Sequence, residues 1–436
     1  MIGPLFEPLR IGTLEVAARV FKSATHETRC LPDGRTGEAM IEFYEPMARA
    51  GTPLIITGNM WTSRQGRSGD GMAGIDAKDK IPGLRALADT VHEHGSRMFV
   101  QLSHCGRQSA GRKDAVSASD VRDQFTGTKP RPLRRDELPG LAESFAAAAY
   151  RAAEAGMDGV QIHCAHGYLL SQFLTPHTNR RTDEYGGPVE NRMRIVLEVL
   201  RAVRARVGDD FPVIAKLNGD DVLPLRAGAA IGDQIKVARA MQDEGLDAIE
   251  ISRGHYESPG AAIMPGRFNG FLRTQITSGA LRDSPRLRRL AMLAASPVLE
   301  RAMNRAFPVS EGFNLPHAEK FTAELEIPVI CVGGFHTRPA MEAAINQGRC
   351  DAVSVARAMT ADPYLYRHLQ TGERDVPVCE YYNGCIARAV GQPLTCYSKK
   401  VRPLRDRMLA TELPAPNGTP PGKRADQPRP ERLRRT

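Results

Sequence analysis

The sequence predicts an α/β chain folded as a closed (β/α)8 TIM barrel with a capping insertion and a disordered C-terminal tail. Three observations lead there. Short apolar, often β-branched runs occur eight times along the 436 residues. Stretches with helical spacing follow most of them and supply the crossovers that parallel strands need. The runs are nearly continuous in apolar residues and finish in polar residues or glycine, as in QIHCAH, AKLN, EISRG and CVGG. Strands buried on both faces, with chemistry at their C-terminal ends, are the pattern of such a barrel.

In chain order the runs cover residues 20–24, 53–58, 98–103, 159–163, 212–218, 247–252, 328–333 and 351–356. Helical spacing is clearest over 82–94, 141–155, 190–207, 233–244 and 339–347. Residues 1–401 are expected to form the barrel. The gap between the sixth and seventh runs is too long for one crossover and holds two basic helix-like pieces, so residues 253–312 are expected as an insertion over the barrel mouth. From residue 402 the chain is Pro/Arg-rich, with six Pro after residue 412. So little apolar surface cannot offset the ordering entropy, and residues 402–436 are expected to be disordered.

Composition excludes several classes. With 42% apolar and 25% charged residues the chain reads as a soluble globular protein. Residues 290–299 are apolar, but the stretch is ten residues long and contains Pro297, too short to span a bilayer. The start, MIGPLFEPLR, lacks a basic segment followed by an apolar one, so a cytoplasmic location is expected and the eight Cys are read as thiols. The formal charge of +9 invites a nucleic-acid partner, but residues 412–436 supply +3 of it, and the knot Arg282, Arg286, Arg288 and Arg289 lies in the insertion. A solvated tail and face account for both, and a small molecule is the expected partner. A homo-oligomer is compatible with the sequence, since most soluble oligomers are symmetric. Gly69, Gly71 and Gly74 in GDGMAG match a dinucleotide fingerprint, yet no strand directly precedes them and no helix follows, so a loop is expected.

The densest chemistry is QIHCAHGYLLSQFLTPHTNRRTDEYGGPVENR, residues 161–192, at the end of the fourth run. His163, His166 and Tyr168 fall within six residues at a barrel lip. Imidazoles there donate hydrogen bonds to a carbonyl-like oxygen. A phenol, protonated at neutral pH, serves as an acid toward a developing carbanion. The plain alternative is a pair of core histidines beside a packed aromatic. No third His or carboxylate follows with ligand spacing, so no metal is expected.

The order of these pieces resembles the Old Yellow Enzyme family, the NADH:flavin oxidoreductases. Residues 161–192 are the specific part. Supporting matches are VFKSATHE (20–27), LIITGN (54–59), VQLSHCGRQ (100–108), VIAKLN (213–218), PVICVGG (328–334) and DAVSVARAMTADP (351–363). The resemblance implies an FMN-binding barrel with NADH or NADPH as hydride donor. It places Thr25, or its neighbour His26, by the flavin C4 carbonyl, with backbone at Ala24 and Gly58 facing the ring. Gln101 would bond the pyrimidine edge. Lys216, where most relatives have Arg, keeps the cation beside N1 and C2 without the bidentate fork. The phosphate would sit on Gly333, Gly334, Ala356 and Arg357, with Ala356 replacing the usual Gly. His163 and His166 would bind the electron-withdrawing group of an α,β-unsaturated carbonyl or nitro compound. Flavin N5 would deliver hydride to the alkene and Tyr168 the proton, so the implied activity is an ene-reductase.

Cys379, Cys385 and Cys396 lie where one branch of the family holds an iron–sulfur cluster on four Cys. The second ligand position falls at about Tyr382 and the spacing to Cys396 is short, so a cluster is not expected. The absence of further cofactor domains in the sequence fits a one-cofactor enzyme. Competing readings are an oxidative N-demethylase or amine dehydrogenase, and a non-catalytic flavin-binding or interaction protein.

Overall fold

The computed structural model describes residues 3–109, 114–124, 126–223, 226–258, 264–279, 281–282, 284–372, 378–389 and 391–411. Eight parallel strands close into a barrel: β1 Val20–Lys22, β2 Leu54–Trp61, β3 Arg97–Ser103, β4 Gly159–Cys164, β5 Val213–Asn218, β6 Ala248–Ser252, β7 Val329–Val332 and β8 Ala352–Val355. Each lies on one of the eight expected runs. β8 pairs β1 through Val353 opposite Val20, which completes the ring. The register shifts once, in β2 between Ile56 and Asn59, around Gly58. Outside the strands lie helices that include α1 Glu38–Arg49, α2 Ile81–His92, α3 Leu138–Glu154, α4 Arg194–Val207, α5 Ile231–Asp243, α6 Leu315–Thr322 and α7 Arg338–Asn346. Their apolar faces meet the outward side chains of the strands in one large core.

Alternation along each strand sorts the barrel interior into layers. Phe21, Leu54, Ile56, Phe99, Ile214, Ala248, Ile330 and Ala352 form the lower, apolar layer. A hairpin, Leu9–Ile11 with Leu14–Val16, seals the floor by adding Ile11 and Val16 to that cluster. Two residues further along their strands come Ser23, Gln101, Lys216, Glu250 and Ser354, all buried and all polar. The same pleat that packs the floor therefore aims a polar layer at the mouth.

Two helices, Phe271–Ser278 and Arg286–Ala306, form the body of the expected insertion. They share a small core of Phe268, Phe271 and Ala387 with Met303 and Phe307. Only Ser296 of the longer helix is buried, and Leu287 is 82% exposed. The expected disordered tail begins differently. Val401–Thr411 is a helix whose Met408 packs on Ala50 and Tyr364, because Val401, Leu404 and Met408 recur at helical spacing within the Arg-rich stretch. Residues 412–436 lie outside the described residues. Among the described residues no helix is long and apolar enough to cross a membrane.

Candidate functional site at the barrel mouth

Glu250 anchors the polar layer. Its carboxylate accepts hydrogen bonds from Ser23 Oγ (2.6 Å), Ser354 Oγ (2.6 Å) and Gln161 Nε2 (2.7 Å), and pairs with Lys216 Nζ at 3.1 Å. Burial alone would raise the pKa of such a group, but Lys216 and the three donors outweigh it and hold it below the usual range. Gln101 Nε2 extends the chain by donating to Gln161 Oε1 at 2.6 Å. Lys216 Nζ also donates to Ser23 Oγ at 3.0 Å. A buried cation and carboxylate are tolerable here because their remaining valences are satisfied.

Lys22 is a second buried cation. Its Nζ donates to Ser23 O (2.5 Å) and Thr25 Oγ1 (2.9 Å), tying down the turn after β1. Burial lowers its pKa to about 8, with Lys216 adding to the effect and Glu27 and Glu250 opposing it. Ala24, Thr25 and His26 are half-buried at the mouth, and His26 Nδ1 lies 3.1 Å from Asn59 Oδ1. Gly58 meets the same turn: its N–H donates to Glu27 Oε1 at 2.5 Å, and a Cβ there would stand 2.4 Å from Thr25 O. Only glycine allows that approach.

The expected trio meets at the end of β4. The His163 and Tyr168 rings are 4.8 Å apart, and the His163 and His166 rings 5.3 Å, both edge to face. His166 takes a left-handed backbone, φ 60°, which turns the chain back over the lip. Its Nε2 lies 2.8 Å from Ser252 Oγ at the end of β6. Burial, then the neighbouring His166 and Lys216, push the His163 pKa well below its ordinary value. Burial and Lys216 lower His166 to about 3, against the pull of Glu250. Both rings are therefore neutral at pH 7. His163 Nδ1 accepts from the Ala165 N–H (3.3 Å), so its proton sits on Nε2. Tyr168 packs against Trp61, Met72 and Cys105, and burial raises its pKa well above the ordinary phenol value. The phenol is therefore protonated at neutral pH.

The β7–β8 side is built otherwise. Gly334 has φ 71°, and the Phe313 N–H donates to Gly333 O at 3.2 Å. Ala356 is half-buried ahead of a short helix, Arg357–Ala361. The Arg357 guanidinium donates to Pro265 O (2.8 Å) and Asn383 Oδ1 (2.6 Å), and lies over the Tyr381 ring at 4.6 Å. Tyr381 OH reaches Gly334 O at 3.0 Å. Cys379, Cys385, Cys396 and Tyr382 line one narrow crevice beside Arg357. Burial raises Cys379 to about 11 and Cys385 to about 12, so neither is a thiolate at neutral pH. Among the described residues no group of three or more His, Cys, Asp or Glu is arranged to hold a metal ion.

The structure thus gathers His163, His166, Tyr168, Lys216, Gln101, Thr25 and His26 around one mouth, and sets Gly333, Gly334, Ala356 and Arg357 at its β7–β8 edge. Sequence reading missed Lys22, Ser23, Gln161, Glu250 and Ser354. The available signal was a Glu, Gln or Lys inside an otherwise apolar run. The donor set fits a flavin: the ammonium of Lys216, the amide of Gln101 and the hydroxyl of Thr25 are groups that would hold the N1, C2=O and C4=O of a pyrimidine edge.

Comparisons agree with that chemistry. An NADH oxidase of Thermoanaerobacter brockii is 30% identical over 397 residues, covering 89% of this chain and 54% of the relative. The chain spans about half the length of the first curated relatives it matches. A 4,4'-dithiodibutanoate disulfide reductase of Rhodococcus erythropolis is 29% identical, covering 94% of this chain and 97% of the relative. The structure of an Old Yellow Enzyme homologue from Zymomonas mobilis shares the fold with a TM-score of 0.65 at 23% identity, covering 89% of this chain and 99% of that one. The profile of FMN-dependent oxidoreductases matches residues 4–275, well over half of the sequence. The chain belongs to the NADH:flavin oxidoreductase / NADH oxidase family.

Proposed function

We propose that this chain is an FMN-dependent NAD(P)H oxidoreductase that reduces activated C=C bonds of α,β-unsaturated carbonyl or nitro compounds. One observation carries the reading: the protonated Tyr168 lies edge-on to the neutral His163, 4.8 Å away, at the open end of the polar layer built on the Lys216–Glu250 pair. Bound FMN would supply the redox chemistry, hydride transfer from the nicotinamide to the substrate. The rest is done by the chain. His163 Nε2 donates to the carbonyl or nitro oxygen, and His166 faces the same oxygen from the Ser252 side. Two neutral donors polarise the alkene without placing a second positive charge beside Lys216. Tyr168 gives its proton to the carbon next to the electron-withdrawing group as hydride reaches the far carbon, and recovers a proton from solvent. Lys216 favours negative charge at the cofactor edge, and Gln101, Thr25 and His26 orient it. Backbone at Gly333, Gly334, Ala356 and Arg357 would hold the phosphate, and the Arg357 guanidinium would add its charge.

The test follows the visible spectrum of the purified protein under anaerobic conditions. NADH or NADPH bleaches the flavin bands and 2-cyclohexenone restores them; failure of the enone to do so rejects the substrate class. A second reading, disulfide reduction, is favoured by the near-complete length match with the disulfide reductase. There the reduced flavin is reoxidised by 4,4'-dithiodibutanoate and not by the enone.

A further inference from the structure

The helix Arg286–Ala306 of the insertion turns its apolar side to water. Its inward side is fixed by specific contacts. The Glu300 carboxylate accepts from the Gly270 and Leu272 N–H groups (both 2.8 Å), Asn304 Oδ1 accepts from the Phe268 N–H (2.8 Å), and Met303 packs on the Phe268 cluster. Near the other end, Arg288 Nη2 donates to Gln124 O at 3.1 Å. With 3.6 residues per turn, those contacts set Leu287, Leu290, Ala291, Ala294, Val298 and Ala302 on one outward stripe. All six are exposed, Leu287 by 82%, Val298 by 69% and Leu290 by 54%. From Leu287 to Val298 the stripe runs roughly 16 Å without a charged residue. The outer side of a surface helix is ordinarily polar, and a contiguous apolar stretch there marks a contact.

The charges around the stripe identify what it touches. The helix holds five Arg and one Glu, and that Glu is the one turned inward on Gly270 and Leu272. Arg286 and Arg288 border the stripe at its start, and Arg301 and Arg305 continue it at its end. Among the described residues none of the five Arg pairs with a carboxylate. A second copy would bring Arg against Arg in a chain that already carries a net charge of +9. A nucleic acid would neutralise the arginines and leave the apolar stripe wet. An anionic bilayer answers both features: the apolar side chains enter the acyl boundary while the arginine stems lie along it and carry their guanidiniums to lipid phosphates. A helix this exposed lies flat on such a surface, whereas a protein partner would have to supply a groove for it.

We propose that the helix Arg286–Ala306 docks the protein on an anionic membrane surface, lying in the plane of the interface. Among the described residues no helix is long and apolar enough to cross a bilayer, so the contact is peripheral. Arg286, Arg288 and Arg289, expected from the sequence on a solvated face, become the basic margin of a lipid-facing one.

The experiment floats the FMN-loaded full chain with vesicles of phosphatidylglycerol and phosphatidylcholine in equal parts, and with phosphatidylcholine vesicles, at physiological salt. The parent chain is expected to float with the anionic vesicles only. Leu287→Ser with Val298→Ser should lower the partition coefficient roughly tenfold or more. Arg286→Gln with Arg301→Gln and Arg305→Gln should lower it roughly 100-fold. All five positions are exposed, so unchanged FMN content and an unchanged thermal melt show that the variants fold. A parent chain that stays at the bottom with anionic vesicles overturns the proposal. Flotation that the Leu287→Ser, Val298→Ser variant keeps assigns the binding to charge alone, residues 412–436 included, and overturns it as well. Light scattering covers the remaining occupant: a parent dimer that this variant turns into a monomer, with no flotation, gives the stripe to a second copy instead.

Discussion

On the β4 side of the barrel mouth, the neutral His163 and the protonated Tyr168 stand edge to face, with the Asn59 side chain hydrogen-bonded to the phenol. On the β8 side, Arg357 spends its guanidinium on Pro265 O and Asn383 Oδ1. One side is poised to act on a bound molecule; the other is locked to the segment after the barrel. The difference teaches that residues matched by the same sequence resemblance differ in how directly they face the chemistry. A strand-end side chain aimed along the barrel axis meets whatever sits in the mouth, whereas a residue opening a short helix is free to turn outward.

The hardest way to break the contrast is to remove the counter-ion beneath both sides. Glu250→Ala leaves Lys216 buried without a partner, with an expected cost of about 3–5 kcal/mol. That is a large share of a typical folding free energy, so denaturant titration should show a marked loss, partly recovered when Lys216→Met is added. A full-strength melt from Glu250→Ala would mean that water or another group satisfies Lys216.

Tyr168→Phe sharpens the β4 side. Loss of a positioned acid should slow enone reduction by roughly 10²–10⁴-fold while bleaching by NAD(P)H keeps its rate. Stopped-flow measurement of the two half-reactions separates them; equal slowing of both contradicts the proton-donor role.

Arg357→Ala addresses the β8 side. It removes the donor to Pro265 O and Asn383 Oδ1, with an expected loss of about 1–3 kcal/mol in thermal or chemical unfolding. FMN affinity, measured by fluorescence on reconstitution, should fall less than tenfold. A fall of 100-fold or more would show that the guanidinium leaves these partners and grips the phosphate itself.

The contrast also has a pH slope. His166 titrates at about 3 in the folded chain, below an unfolded value near 6.5, so the unfolded state binds more protons between those limits. Its contribution is fully present above about pH 6.5 and is lost as pH falls toward 3, by about 1.4 kcal/mol per pH unit within the window. His166→Asn should flatten the acid limb of a plot of stability against pH; an unchanged limb would assign the acid sensitivity elsewhere.

All eight strands and the His163–Tyr168 lip were legible in the sequence, because apolar runs and clustered polar residues are local signals. The layer beneath the lip was not. Ser23, Glu250 and Ser354 meet across the barrel, and Ser23 and Glu250 are 227 residues apart. Within its own strand, AIEIS, Glu250 reads as one stray charge; it becomes a hub only when closure brings four donors to it. The helix Val401–Thr411 was missed for the opposite reason: the Arg-rich composition masked the spaced Val401 and Met408 that it buries.

Ring closure also sets the order in which this chain can finish folding. β1 is made first, yet its β8 neighbour ends at Val355, more than 330 residues later. At ordinary rates of synthesis that interval is roughly 15–70 s. Throughout it, one hydrogen-bonding edge of Val20–Lys22 has no strand to pair with, and Ser23 lacks the Ser354 side of its network. Closing a loop of this length precedes its reward, so the last strand docks slowly and the open edge is exposed to other nascent chains. A chain halted before Val355 would keep the lip residues of β4 yet present an unfinished sheet, making the ribosome-bound stage the period of greatest aggregation hazard for this protein.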